Sequence, residues 1–180
     1  LTGPGSIDKI RRLMTSDLSQ SINPLRLAKA RKQIKGSLQV GSFGRLEGVL
    51  LDKSGELQYS LSFDFDEART CIVECTIDAR LTFECQRCFK PIAIDIHKSS
   101  LLAIVKDKDD FDALAQEYEP LELDEEHISV EELVEDELLL AIPLSPLHSE
   151  DDCSGKQVLD KVNADAKPQP FAVLATLKKK

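Results

Sequence analysis

"CIVECTIDARLTFEC", residues 71 to 85, places Cys, Val, Cys, Ile, Ala, Leu, Phe and Cys at its odd positions, with mostly polar residues between them. Side chains of an extended strand point alternately to opposite faces, so a period of two held this long marks strand with one dry and one wet face. The preceding "LQYSLSFDF", residues 57 to 65, alternates as strictly, and Ile92, Ile94 and Ile96 resume the pattern after Pro91. Strands of this kind build antiparallel sheets, and several are expected across roughly residues 37 to 105. Cys71 and Cys75 fall on the dry face and read as core thiols, because a free cysteine packs like a small apolar residue.

Outward from the sheet, Asn23-Pro24 opens a helix: Asn is a good N-cap, Pro fits the first helical position, and "LRLAKARKQIK" runs on until Gly36. The expectation is a helix of about three turns over 24 to 35. Ser129-Val-Glu-Glu132 is a capping box for a second helix over 129 to 142, with Val130, Leu133, Val134, Leu138, Ala141 and Ile142 as its apolar face and Pro143 as its end. Its glutamates read as helix-surface charges. The acidic stretch from Asp107 to His127 carries no strong strand pattern and reads as a surface loop with a short helix near Phe111 to Glu117. The fold class expected is α+β: a single domain with an antiparallel sheet carrying a Cys-x-x-Cys hairpin, flanked by an N-terminal basic helix and a C-terminal acidic helix. Residues 1 to 13 read as an expression scar, 14 to 153 as the domain, 154 to 169 as a linker, and 170 to 180 as a docking segment with a lysine tail.

At 180 residues and 42% hydrophobic, the chain holds one sizeable core. No apolar run approaches the eighteen or so residues of a membrane span, so no membrane partner is expected. An odd number of cysteines, five, without a secretory signal argues for reduced thiols in a cytoplasm-like compartment. The net charge of −9 hides an asymmetry: residues 1 to 45 carry nine Lys and Arg against two acids, whereas residues 107 to 137 carry fifteen acids against Lys108. Such asymmetry points to partners more directly than the total does.

The hairpin tip "FECQRCFKP", residues 83 to 91, holds Cys85 and Cys88. The spacing suits a metal knuckle, a redox pair or two incidental thiols. A redox pair is the weakest of the three, since no helix starts at Cys85 to depress its pKa. His148 and Cys153, on the loop after Pro143 and Pro146, offer the two further ligands that a metal requires. Three thiolates and one imidazole fit a structural zinc, with Arg87 and Lys90 placed to offset the net negative centre.

Three blocks, "ECQRCFKP", "YEPLELDEEHISVEELVEDELLLAIPLSPLHSEDDC" and "KPQPFAVLATLKKK", together with Asn-Pro-x-Arg-x-Ala at 23 to 28, resemble the bacterial YceD family, the large ribosomal RNA subunit accumulation proteins. The resemblance runs from about Asn23 to Lys180. The family usually opens with Asp where Asn23 stands, and many relatives carry further cysteines after the second helix, where this chain has His148. The resemblance implies a role in synthesis, processing or stability of large-subunit ribosomal RNA, and supplies no molecular mechanism.

Enzyme readings find little support in the residues. Asp107, Asp109, Asp110 and Asp112 could hold magnesium but lack the spacing of a metal loop, no Gly-rich phosphate loop is present, and no triad order appears. His97 reads as a surface residue, and His127 carries no separate signal. Two non-enzymatic readings remain. One is an RNA binder whose Arg26, Lys29, Arg31, Lys32 and Lys35 contact the phosphates of large-subunit ribosomal RNA or its precursor. The other is an acidic factor that engages a ribosomal protein or a ribonuclease. With 5% aromatic residues and no Trp, the sequence offers no stacking platform, so recognition by shape and charge is expected.

Overall fold

In the computed structural model of the chain, which describes residues 21–106, 111, 114, 116–123 and 126–164, Asn23 Oδ1 accepts from the Arg26 N–H at 2.9 Å and Pro24 fills the first turn of a helix. In chain order the described residues form β1 (Ser21–Ile22), α1 (Pro24–Lys29), β2 (Gln33–Gln39), β3 (Glu56–Phe65), β4 (Cys71–Glu84), β5 (Pro91–Val105), β6 (Glu119–Glu122), β7 (Ile128–Ser129), α2 (Val130–Ala141) and α3 (Lys156–Ala164). The residues read as a scar, 1 to 13, and as a docking segment, 170 to 180, lie outside the described residues, as do Asp107, Asp109, Asp110 and Asp112.

Five strands make one sheet in the order β2-β3-β4-β5-β6, and β1 pairs with β7 in a separate two-stranded ladder. Burial follows the sequence alternation: Cys71, Val73, Cys75, Ile77, Leu81 and Phe83 of β4 are all buried, with exposed or half-buried residues between them. Burying each large side chain of this set contributes about 1.5 to 3 kcal/mol, so this strand alone anchors much of the core. Burial pushes the Cys71 thiol up to about 11 and the Cys75 thiol up to about 12, so both are inert in neutral solution.

Four expectations need correction. The first helix is six residues long, because Arg31 adopts φ 48° and the chain turns there: Arg31 N–H donates to Ala28 O at 3.0 Å and Lys32 N–H to Leu27 O at 3.1 Å. Paired back-bonds around a left-handed residue are a standard helix stop, here made without the usual glycine. Gly36, read as the stop, lies inside β2 opposite Tyr59, whose ring covers it. The sheet is mixed, since β6 runs parallel to β5 from within the acidic stretch read as a loop; of the short helix expected near Phe111 to Glu117, residues 112, 113 and 115 lie outside the described residues. Residues 156–164, read as linker, are helical. Finally, two glutamates of α2 are buried, Glu135 at 8% and Glu137 at 4% exposure.

Each buried glutamate is matched. Glu135 accepts from the Arg45 backbone N–H at 2.8 Å and from its Nε at 2.9 Å, while Arg45 also reaches Asp136 at 2.6 Å. Glu137 accepts from Ser100 Oγ at 2.5 Å and pairs with Lys98 Nζ at 3.2 Å, which ties α2 to β5. The serine half of the capping box forms as read, with Ser129 Oγ accepting from Glu132 N–H at 3.3 Å. Where one domain over 14 to 153 was expected, the described residues cluster into two compact units: 21–83 with 93–143, and 84–92 with 144–164. No helix among the described residues is long and apolar enough to cross a membrane.

Candidate functional site

The second unit is built around a turn and a loop. Between β4 and β5, Cys85 N–H donates to Lys90 O at 2.9 Å and Phe89 N–H to Cys85 O at 2.8 Å, so the six residues from Cys85 to Lys90 close into a tight knuckle. Phe89 holds φ 57° to complete it. The loop after Pro143 joins this knuckle through Gln86 N–H to Pro146 O at 2.9 Å.

These contacts bring Cys85, Cys88, His148 and Cys153 together with all four ligand atoms within 4.8 Å of one another. A tetrahedral ion with thiolate bonds of about 2.3 Å spaces its sulfurs about 3.8 Å apart, so the cluster has the dimensions of one closed coordination shell. The imidazole is oriented for it. His148 Nε2 lies 3.1 Å from Pro91 O and Nδ1 3.3 Å from Cys88 Sγ. A carbonyl can only accept, so Nε2 carries the proton and Nδ1 keeps its lone pair for a ligand, the outer hydrogen bond expected of a metal-bound histidine.

The backbone favours thiolates here. Burial alone would push the Cys85 thiol up, but the N–H groups of His148, Arg87 and Cys88, with the His148 ring, outweigh it and bring the thiol down to about 5. The Lys90 N–H lowers Cys88 in the same way. His148 is held above the usual imidazole range by its contact with Cys85, and burial raises Cys153. The donor set therefore fits zinc, which four-coordinate Cys₃His sites hold as a structural ion, and the residues that would hold it are the four read from the sequence.

Gly155 was missed. A methyl group at its Cα would lie 2.7 Å from the Arg87 carbonyl oxygen and 3.2 Å from the carbonyl carbon, so only glycine lets the Cys153 loop approach the knuckle backbone. Backbone cannot rotate aside. Gly155→Ala is expected to weaken zinc affinity about 10- to 100-fold, the range seen when support around a metal site is disturbed, measured by competition with a chromophoric chelator. Unchanged affinity would show that the loop yields freely. No sequence signal marks this position, because a lone Gly in a polar stretch reads as flexibility.

The basic residues are placed differently from the expected helical strip. Arg26 and Lys29 are on α1, Arg31 and Lys32 in the connector, and Lys35 on β2; all five are exposed. Arg31 pairs with Asp64 at 3.2 Å, and the other four make no ion pair among the described residues. His97 is exposed beside Asp78 at 2.5 Å. His127 is exposed and lines a cavity of about 390 Å³ together with Leu121, Ile128, Leu133, Glu122 and Glu132.

Comparison with known proteins converges on one family. The family model described as "Large ribosomal RNA subunit accumulation protein YceD" matches residues 73–178. The protein of that name from Haemophilus influenzae is 32% identical over 169 residues, covering 91% of this chain and 97% of its own length. No solved structure matches the chain.

Proposed function

Because the chain belongs to the YceD family of large ribosomal RNA subunit accumulation proteins, we propose that it acts in the cytoplasm as a non-enzymatic factor that promotes accumulation of large-subunit ribosomal RNA by binding that RNA or its precursor directly. One observation carries the binding step. Arg26, Lys29, Arg31, Lys32 and Lys35 fall within ten residues, all exposed, in a chain of net charge −9. Local charge decides at short range, because the Debye length is about 8 Å at physiological salt. Contacts of this kind go to phosphate and fix position without reading sequence. A structural zinc in the Cys85, Cys88, His148 and Cys153 shell holds the second unit together and takes no part in chemistry.

The test is the triple change Lys29→Gln, Lys32→Gln and Lys35→Gln. Binding to large-subunit RNA fragments should weaken, and the log–log salt slope should flatten by roughly 0.7 to 0.9 per lost contact. Circular dichroism should be unchanged, since all three side chains are exposed. Unchanged affinity and slope would reject direct binding through this strip. The second reading, an acidic factor that binds a ribosomal protein or ribonuclease, is favoured by the cavity that Glu122, Glu132 and Asp136 line together with Leu121 and Leu133. It gains if the triple variant still retains such a protein through residues 116 to 137.

A further inference from the structure

Phe89 has a conformation and an exposure that folding alone does not favour. The residue is 69% exposed, whereas every other described aromatic is buried or half-buried. Its backbone sits at φ 57°, where a residue with a Cβ is disfavoured and glycine is at ease. Glycine would close the Cys85 turn with the same Phe89 N–H to Cys85 O bond and would hide an apolar ring from water at once. Two unfavourable features on one residue point from the outlier to a function.

The setting says what the ring could receive. The knuckle backbone is fixed by the Cys85 to Lys90 hydrogen bonds and by Gly155 against the Arg87 carbonyl. A ring carried on a rigid loop loses little conformational freedom when something packs on it. Lys90 is exposed and makes no ion pair among the described residues, and Arg87, two residues before Phe89, is half-buried near Glu150, whose carboxylate is held by Lys156 at 3.0 Å. A flat apolar face with cations on both sides in sequence is complementary to an unpaired base with its phosphates. A protein pocket for Phe89 would need no flanking cation.

We propose that Phe89 is a stacking platform for one unpaired base of single-stranded RNA, with Lys90 and Arg87 on the adjoining phosphates. This rests on the RNA-binding reading and deepens it. The basic strip supplies a charge contact indifferent to sequence, and the metal knuckle adds a preference for single-stranded over duplex segments, since stacking needs a base free of its pair. The low aromatic content does not exclude this, because one ring suffices for one base.

The experiment is a fluorescence titration of the zinc-loaded full chain with an oligoribonucleotide carrying one 2-aminopurine, as single strand and as duplex. Stacking quenches the probe. Wild type should quench the single strand, Phe89→Trp should retain this, and Phe89→Leu should weaken single-strand binding roughly 5- to 100-fold while leaving duplex binding unchanged. Phe89→Gly should lose the same affinity yet keep its zinc and melt no lower than wild type, which separates stacking from a structural role. If Phe89→Gly and Phe89→Leu stay folded, zinc-loaded and bind single strand like wild type, the stacking proposal is overturned while RNA binding stands. Wild type that binds neither form overturns both. Variants that bind RNA normally but no longer coprecipitate a large-subunit protein overturn stacking in favour of a protein contact.

Discussion

Cys85→Ser is expected to strip the metal from the second unit and unfold residues 84–92 and 144–164. Among its described residues this unit holds little core: Cys85 and Cys153 are buried there, but Leu144, Leu147, Val158, Leu159 and Val162 are exposed. Units of that size usually need a metal or a covalent staple. Structural zinc contributes an apparent 10 to 16 kcal/mol at neutral pH in zinc-finger peptides, and that binding energy is folding energy. Losing one of the three thiolates should therefore remove about one zinc per chain by elemental analysis and abolish hydrogen-exchange protection in both segments, while the parts of β2 to β5 outside them remain protected. Chelation of the wild-type protein should do the same. Cys75→Ser is the control, for its thiol is buried in the sheet core and is not one of the four clustered ligands; it should keep the metal. Full protection and full stability in metal-free Cys85→Ser would leave the four residues as neighbours without a ligand.

The second large effect belongs to Glu137. Its carboxylate is 4% exposed as a residue and meets Ser100 at 2.5 Å and Lys98 at 3.2 Å, with Lys98 Nζ also 3.8 Å from Glu119. Glu137→Ala leaves Lys98 partly buried with one distant partner and Ser100 without an acceptor. Breaking a buried pair from one side costs about 3 to 5 kcal/mol, a large share of the 5 to 15 kcal/mol that holds a typical domain. The urea midpoint should fall accordingly. Glu131→Ala, a half-buried glutamate of the same helix, should change stability by no more than about 0.5 kcal/mol. Replacing the pair together, Lys98→Met with Glu137→Leu, should recover most of the loss, because an apolar pair of similar volume has no charge to leave unmatched. A loss below about 1 kcal/mol in Glu137→Ala would mean that water reaches the pair.

The sheet was legible where the sequence repeated itself. β3 alternates strictly over ten residues and β4 nearly so over fourteen, and a period of two that long has one physical meaning. α2 was legible because its cap is chemical: a serine hydroxyl and an amide three residues on. The metal quartet could be assembled because thiols outside the strand core were few. β2 was not legible, since Leu27 and Ile34 share helical spacing and nothing announces a left-handed Arg31; only the partner strand β3 decides that Gln33–Gln39 extends. β6 is four residues long and parallel, so its cause is the edge of β5 that it pairs with rather than any pattern of its own. α3 leaves Val158, Leu159 and Val162 exposed, so its apolar residues do not advertise a core. The buried state of Glu135 and Glu137 depended on cations at 45 and 98, which no local pattern on the helix could reveal.

The ligands of the metal shell are far apart along the chain: Cys88 and His148 are 60 residues apart. The span between them includes the whole of β5, β6, β7 and α2. During synthesis at about 5 to 20 residues per second, the 65 residues from Cys88 to Cys153 take roughly 3 to 13 seconds to add. Two thiols of the knuckle are thus made, and wait, well before their partners exist. An ion could be gripped by all four groups only after the sheet strands and α2 have been translated, so its capture would be a late event on the nascent chain. A polypeptide truncated before Cys153 should carry a knuckle that binds zinc weakly and exchanges it freely with competing thiols, and completion of the loop marks the moment when the cargo becomes captive.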